Sequence, residues 1–138
     1  DRIADLMFSN GRIEKMEDRE CEVLLPKEEN PRVIQIKRKV RTATENGKPV
    51  SPNRVYNFRD GVFEAILDKF YTDPTLIAFG EENRDWGGAF AVYRGLTESL
   101  PYHRLFNTSI SEGAIVGSAV GYGMPGMKSS ISSPNGNV

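Results

Sequence analysis

The sequence predicts an α/β domain, a parallel sheet with flanking helices, on three observations. Helix-like and strand-like stretches alternate from residue 55 onward, the connections between them are short, and the clearest strand candidate, Thr75–Phe79 (TLIAF), is apolar throughout. A continuous apolar run suits a strand covered on both faces, and strands separated by helices are the grammar of a parallel sheet. With 138 residues the chain has room for one modest core and hardly for two.

Taken in order, residues 1–20 are charge-dense with scattered apolar positions (Ile3, Leu6, Met7, Ile13, Met16) and read as a surface helix interrupted at Ser9-Asn10-Gly11. Arg32–Arg41 (RVIQIKRKVR) reads as a strand with Ile34 and Ile36 on one face. Its basic end, Lys37, Arg38, Lys39 and Arg41, reads as solvated, because no aromatic residues are interleaved to make a nucleic-acid surface. Thr42–Asn53 (TATENGKPVSPN) reads as a turn-rich connector. Asn57-Phe58-Arg59-Asp60 has the form of an N-cap with an acid three residues on. Val62, Phe63, Ile66, Leu67 and Phe70 follow at helical spacing until Asp73-Pro74 stops the run. The apolar strand then ends in Gly80. Ala89–Leu100 reads as a second helix with Pro101 beyond it, Arg104–Asn107 as a brief second strand, and a third helix begins near Ser111.

Bulk properties exclude several function classes. Eighteen Lys and Arg against nineteen Asp and Glu leave a formal charge of -1, so no global field draws the chain to nucleic acid or an anionic membrane. Cys21 and His103 are single, which rules out an internal disulfide framework and a Cys/His zinc cluster and suits a reducing compartment. No apolar run approaches the ~18 residues of a membrane span, and no secretion signal is present, so the chain reads as soluble and cytoplasmic, or mitochondrial-matrix in a eukaryote. It opens on Asp1 and closes on a Ser/Asn/Gly stretch, the expectation being a fragment or a chain lacking some stretches.

Ligands of open α/β sheets bind beyond the carboxyl ends of the strands. Both strand candidates end in acid, in Gly80-Glu81-Glu82 and in Asn107-Thr108-Ser109-Ile110-Ser111-Glu112, so two carboxylate clusters are expected to face one crevice. The plainer use of Glu112 is a capping box with Ser109, worth about 1 kcal/mol. Gly113, Gly117 and Gly121, beside Ala114 and Ser118, leave one helix face with almost no bulk, suited to a second helix or a ligand and equally to simple packing. Glu82 reads as a solvated loop residue, Trp86 and Phe90 as loop anchors packed on the core, and His103 as a surface residue without a partner. Asn107-Thr108-Ser109 fits the glycosylation pattern, but nothing suggests secretion.

Residues 76–96 (LIAFGEENRDWGGAFAVYRGL) and 103–124 (HRLFNTSISEGAIVGSAVGYGM) carry a resemblance to a known family. Four features occur in order: a strand ending in Gly-Glu-Glu, an aromatic-Gly-Gly-Ala-aromatic turn (Trp86 to Phe90), Arg94-Gly95-Leu96, and Ile-Ser-Glu with glycines five and nine residues after the glutamate. Over roughly residues 55–127 the chain resembles the beta subunit of the thiamine-diphosphate-dependent, decarboxylating component of 2-oxo acid dehydrogenase complexes, of the pyruvate or branched-chain 2-oxoisovalerate type. The resemblance implies a thiamine-diphosphate-binding pyrimidine-domain fold, here an incomplete domain. It implies oxidative decarboxylation of a 2-oxo acid and transfer of the acyl group to a lipoyl carrier. Carried over by position, Glu112 is the glutamate that meets the aminopyrimidine ring, Ile110 lies against that ring, and Glu81 belongs to a proton-relay network near the same pocket. A carboxyl group in a dry apolar pocket resists ionisation and can share its proton with ring nitrogen N1′. That exchange primes the cofactor, which does the bond-breaking as an electron sink.

The implied partners are an alpha subunit or fused alpha part that holds Mg2+ and the diphosphate, a second beta subunit against the small-residue helix, and a lipoyl-bearing acyltransferase. Family members continue after the glycine-rich helix with a basic residue and an apolar strand whose aromatic stacks on the cofactor ring. Here Met127-Lys128-Ser129-Ser130-Ile131-Ser132 and a polar stretch follow, and no Gly-Asp-Gly with a later Asn is present, so tight cofactor binding by this polypeptide alone is not expected. Residues 1–54 are then an extension or linker, 55–128 the first part of the pyrimidine-binding domain, and 129–138 an irregular or truncated tail. The alternatives are a non-catalytic assembly module and another transketolase-group enzyme. The residues do not choose among pyruvate, branched-chain 2-oxo acids and acetoin.

Overall fold

The structure is a computed structural model that describes residues 20–39, 42–55 and 57–132. The surface helix expected within residues 1–20 lies almost wholly outside them.

Among the described residues, the first α-helix stands where a strand was expected. Asn30 ends a short 3-10 turn, Lys27–Glu29, and caps helix α1, Pro31–Arg38. Its side-chain oxygen accepts from the backbone N–H of Arg32 (2.9 Å) and Val33 (3.2 Å), while its amide donates to the Gly95 carbonyl and Ser99 Oγ. Pro31 sits at the first helical position, where its missing N–H costs nothing. The residues this helix buries are Val33 and Ile36, three apart, not Ile34 and Ile36, two apart. Helical period wins because it places both on the core. Lys37 and Arg38 are therefore a solvated helix end rather than a strand end, Lys39 beyond them reaches Asp60 at 2.7 Å, and Arg41 lies outside the described residues.

The expected connector is a β-hairpin. β1 (Thr42–Glu45) and β2 (Lys48–Arg54) pair antiparallel, Glu45 opposite Lys48. Asn46 and Gly47 between them both have positive φ (48° and 74°), the type I′ geometry that matches strand twist.

Helix α2, Phe58–Thr72, follows the expected amphipathic pattern, with Phe63, Leu67 and Phe70 fully buried. The Asn57 oxygen accepts from Arg59 N at its start, and Asp73 N bonds Lys69 O at its end. Asp60, three residues after the cap, turns inward to Lys39 and Arg32.

Three parallel strands form the central sheet in the order β4-β3-β5, with β3 being Ile77–Glu81, β4 Leu105–Thr108 and β5 Ser129–Ser132. The α/β expectation holds, and a strand forms within the stretch expected to be irregular. One sheet face, with Ala78 and Leu105, joins the core made by Phe63, Leu67, Phe70, Val33, Ile36, Leu96 and Leu100. The other, with Phe79 and Phe106 stacked 5.4 Å apart, faces helix α3, Glu112–Gly123, through Ile115. β3 is thus covered on both faces, as its apolar run requires.

Ala89–Leu100 is not a helix. Only a 3-10 turn, Ala89–Ala91, forms, and the rest is successive turns. Gly87, Gly88, Phe90, Ala91 and Gly95 all take positive φ, which no α-helix accommodates. Arg32 holds the segment by donating to the carbonyls of Ala91 (3.1 Å), Val92 (2.9 Å) and Arg94.

Candidate functional site

Parallel strands end at the same side of a sheet, so pairing alone gathers the residues that follow them. Glu81, the last residue of β3, is the register partner of Thr108, the last residue of β4. Glu112 comes four residues later, in the first turn of α3. The structure thus brings both acidic strand ends to one edge, as the sequence implied.

The two carboxyl groups occupy different settings. Glu81 is 3% exposed and its Oε1 has no hydrogen-bond partner within the described chain. Glu82 beside it is exposed and left-handed (φ 53°), and its carbonyl accepts from the N–H groups of Trp86, Gly87 and Gly88, closing the turn. Glu112 is half-buried. The helix cap is Ser111 rather than Ser109, extended at φ −170°, and Ser111 makes no side-chain cap hydrogen bond. The helix N-terminus places the Glu112 carboxylate in a favourable field.

A cavity of about 310 Å³ runs between the sheet and α3. Its floor is Ile77, Phe79 and Phe106, its helix wall Ala114, Ile115 and Ser118, and its polar end Thr108, Ser109 and Ser111. Ile110, at the same turn, is 79% exposed. The small-residue face of α3 is open: a methyl group built at Gly113, Gly117 or Gly121 meets nothing within 4 Å.

Several expectations fail locally. Trp86 (64% exposed) and Phe90 (88%) project outward rather than packing on the core. The positive-φ turn directs them away from it. His103 has a partner, with Nε2 2.8 Å from a Glu22 carboxylate oxygen. Two residues that position the site were not singled out. Arg104, buried, donates to the carbonyls of Phe70, Asp73 and Leu76 and ties the end of α2 to the start of β4. Asn107 accepts from Arg84 N (2.7 Å) and donates to Asp85, fixing the turn after β3 against β4. An Arg opening an apolar strand and an Asn inside it were the available signals. Among the described residues no group of three or more His, Cys, Asp or Glu side chains is placed to hold a metal ion, and no helix is long and apolar enough to cross a membrane.

No family model matches the chain. Individual relatives do. The chain is 33% identical over 72 residues to the pyruvate dehydrogenase E1 component subunit beta-3, chloroplastic, of Oryza sativa subsp. japonica, covering 52% of this chain and 18% of that protein. It is 39% identical over 69 residues to the pyruvate dehydrogenase E1 component subunit beta of Acholeplasma laidlawii, covering 50% and 21%. It is 37% identical over 62 residues to the 3-methyl-2-oxobutanoate dehydrogenase subunit beta of Mycobacterium tuberculosis, covering 45% and 18%. The chain thus spans about a fifth of the length of the curated relatives it matches. The resemblance to 2-oxo acid dehydrogenase beta subunits holds over about half the chain.

Proposed function

We propose that the chain is the part of a 2-oxo acid dehydrogenase beta subunit that receives the aminopyrimidine side of thiamine diphosphate. The single observation that carries this reading is the convergence of Glu81 and the Ser109–Glu112 turn at one carboxyl edge of a parallel sheet, beside an apolar cavity. The hydroxyl-lined end of that otherwise apolar cavity fits a flat, partly polar ring better than either a charged or a wholly apolar group.

In this reading Glu112 holds the ring nitrogen and passes a proton to and from it. Ile110 packs against the ring, which gives an exposed isoleucine a use. Glu81, inside, hydrogen-bonds toward the same pocket and takes part in relaying the proton. When bound, the cofactor supplies the nucleophilic carbon and the electron sink for decarboxylation of a 2-oxo acid. The alpha subunit or fused alpha part holds Mg2+ and the diphosphate, a second beta subunit meets the open face of α3, and a lipoyl-bearing acyltransferase accepts the acyl group. Water exclusion around Glu112 comes from these partners, since in this chain the side chain is only half-buried.

The test is decarboxylation of pyruvate and of branched-chain 2-oxo acids by the chain assembled with an alpha subunit, Mg2+ and thiamine diphosphate. Glu112→Ala lowers turnover by about 10²–10⁴-fold, the range for loss of a general acid–base group, without unfolding the protein. Near-normal turnover in that variant removes the assignment. The open small-residue face of α3 favours, as a second reading, a purely structural assembly module. Under it, cofactor and Mg2+ leave the thermal midpoint of the assembled protein unchanged.

A further inference from the structure

Four side-chain atoms at the carboxyl edge of β3 and β4 are buried without a hydrogen-bond partner in the described chain: Glu81 Oε1, Thr108 Oγ1, and both Nδ2 and Oδ1 of Asn83. Backbone geometry keeps their residues together. Glu81 and Thr108 face each other across adjacent strands, spaced about 4.8 Å, and the Asn83 Cα lies within about 7 Å of the Glu81 Cα, two residues back. Asn83 is 0% exposed, so no side chain of another protein reaches it. The polar groups of the adjoining turn are committed elsewhere: Asn107 to Arg84 N and Asp85, Thr97 Oγ1 to the Arg84 carbonyl, and Arg84 Nη1 to the carbonyls of Leu100 and Leu105. Native interiors leave few such atoms unpaired.

The chemistry of the set selects its occupant. Nδ2 needs an acceptor, Glu81 Oε1 accepts, and Thr108 Oγ1 does either. A bare cation answers only the oxygens, and an anion only Nδ2 and the Thr108 hydroxyl, leaving Glu81 Oε1 and Asn83 Oδ1 unanswered. Water answers all of them and makes about three hydrogen bonds when buried. We propose that this edge of the sheet encloses an internal water site anchored by Asn83 and extending to Glu81 and Thr108. The proposal does not rest on the cofactor reading: water at Glu81 Oε1 gives that buried carboxyl a proton-exchanging contact.

The test is oxygen-17 magnetic relaxation dispersion on the full chain, which detects waters held inside longer than the protein tumbles. Asn83→Leu, of similar volume, loses the signal of at least one such water, and its thermal midpoint falls by about 5 °C because Glu81 and Thr108 lose their partner. An unchanged water signal, or a midpoint that rises because an unpaired amide has been replaced by an apolar group, overturns the proposal. Thr108→Val decides the matter if Asn83→Leu does not fold. A reduced water signal there supports the site, and an unchanged one overturns it.

Discussion

Asp73 shows how one side chain fastens two elements. It follows α2, accepts from the Thr75 N–H (3.0 Å) and hydroxyl (2.7 Å), and pairs with Lys128 just before β5 (2.5 Å). Burial alone pushes its carboxyl pKa up, but the bonds from Lys128 and Thr75 outweigh that and pull it down to about 2. A value depressed on folding contributes stability that is fully present above the unfolded pKa of about 4 and is lost as pH falls toward 2. Asp73→Asn therefore costs about 1–2 kcal/mol at neutral pH, allowing for the solvent around Lys128, and the gap from wild type closes below about pH 3. Urea unfolding at both pH values measures it. Arg32 is the other fastening point: it bonds three loop carbonyls, pairs with Asp60 and lies 4.1 Å over the Phe63 ring. Burial lowers its pKa more than Asp60 raises it, and the Asp60 carboxyl, though burial raises it, is held low by Lys39 first and Arg32 second. Arg32→Met removes the loop contacts and leaves Asp60 to Lys39, a loss of about 3 kcal/mol in denaturant unfolding.

At the level of elements, glycine positions separate backbone need from mere tolerance. A side chain at Gly87 would place Cβ 2.4 Å from Arg94 N at a φ of +88°. Gly61, inside α2, has open space and no positive φ. Gly87→Ala is expected to cost at least about 2 kcal/mol, and Gly61→Ala to gain about 0.5–1 kcal/mol, both read from denaturant midpoints. The same contrast explains what could be read from the sequence. α2 was legible because five apolar residues repeat at helical spacing between an Asn cap and a Pro stop, and β3 because its run is wholly apolar. In α1, Ile34 and Ile36 satisfy a strand's period, while the deciding signals are Asn30-Pro31 just before Arg32 and Val33 three before Ile36. The Asn46-Gly47 pair, both with positive φ, is the hairpin signal within the stretch that reads as a turn-rich connector. Ala89–Leu100 has helical composition, but tertiary bonds from Arg32 and left-handed Phe90 and Ala91 override it, and no local rule marks those two residues.

For the molecule as a whole, the candidate site was legible to the extent that parallel topology makes it so. Once β3 and β4 pair in parallel, Glu81 and the turn that carries Glu112 share an edge. The capping alternative was equally legible, but the helix begins at Glu112 with Ser111 as its cap, not at Ile110 with Ser109 as its cap. Shielding was not legible: in this chain Ile110 is exposed, Glu112 half-buried and the α3 face open. Adding an alpha subunit, Mg2+ and thiamine diphosphate is expected to raise the thermal midpoint by several degrees through ligand linkage, about 2.7 kcal/mol at a hundredfold excess over Kd, and much less in Glu112→Ala. The most direct measurement is a crystal structure of that assembly with the cofactor bound. The account predicts the Glu112 carboxyl enclosed and within about 3 Å of the aminopyrimidine nitrogen. A Glu112 side chain directed into bulk solvent, with another residue on the ring, would contradict it.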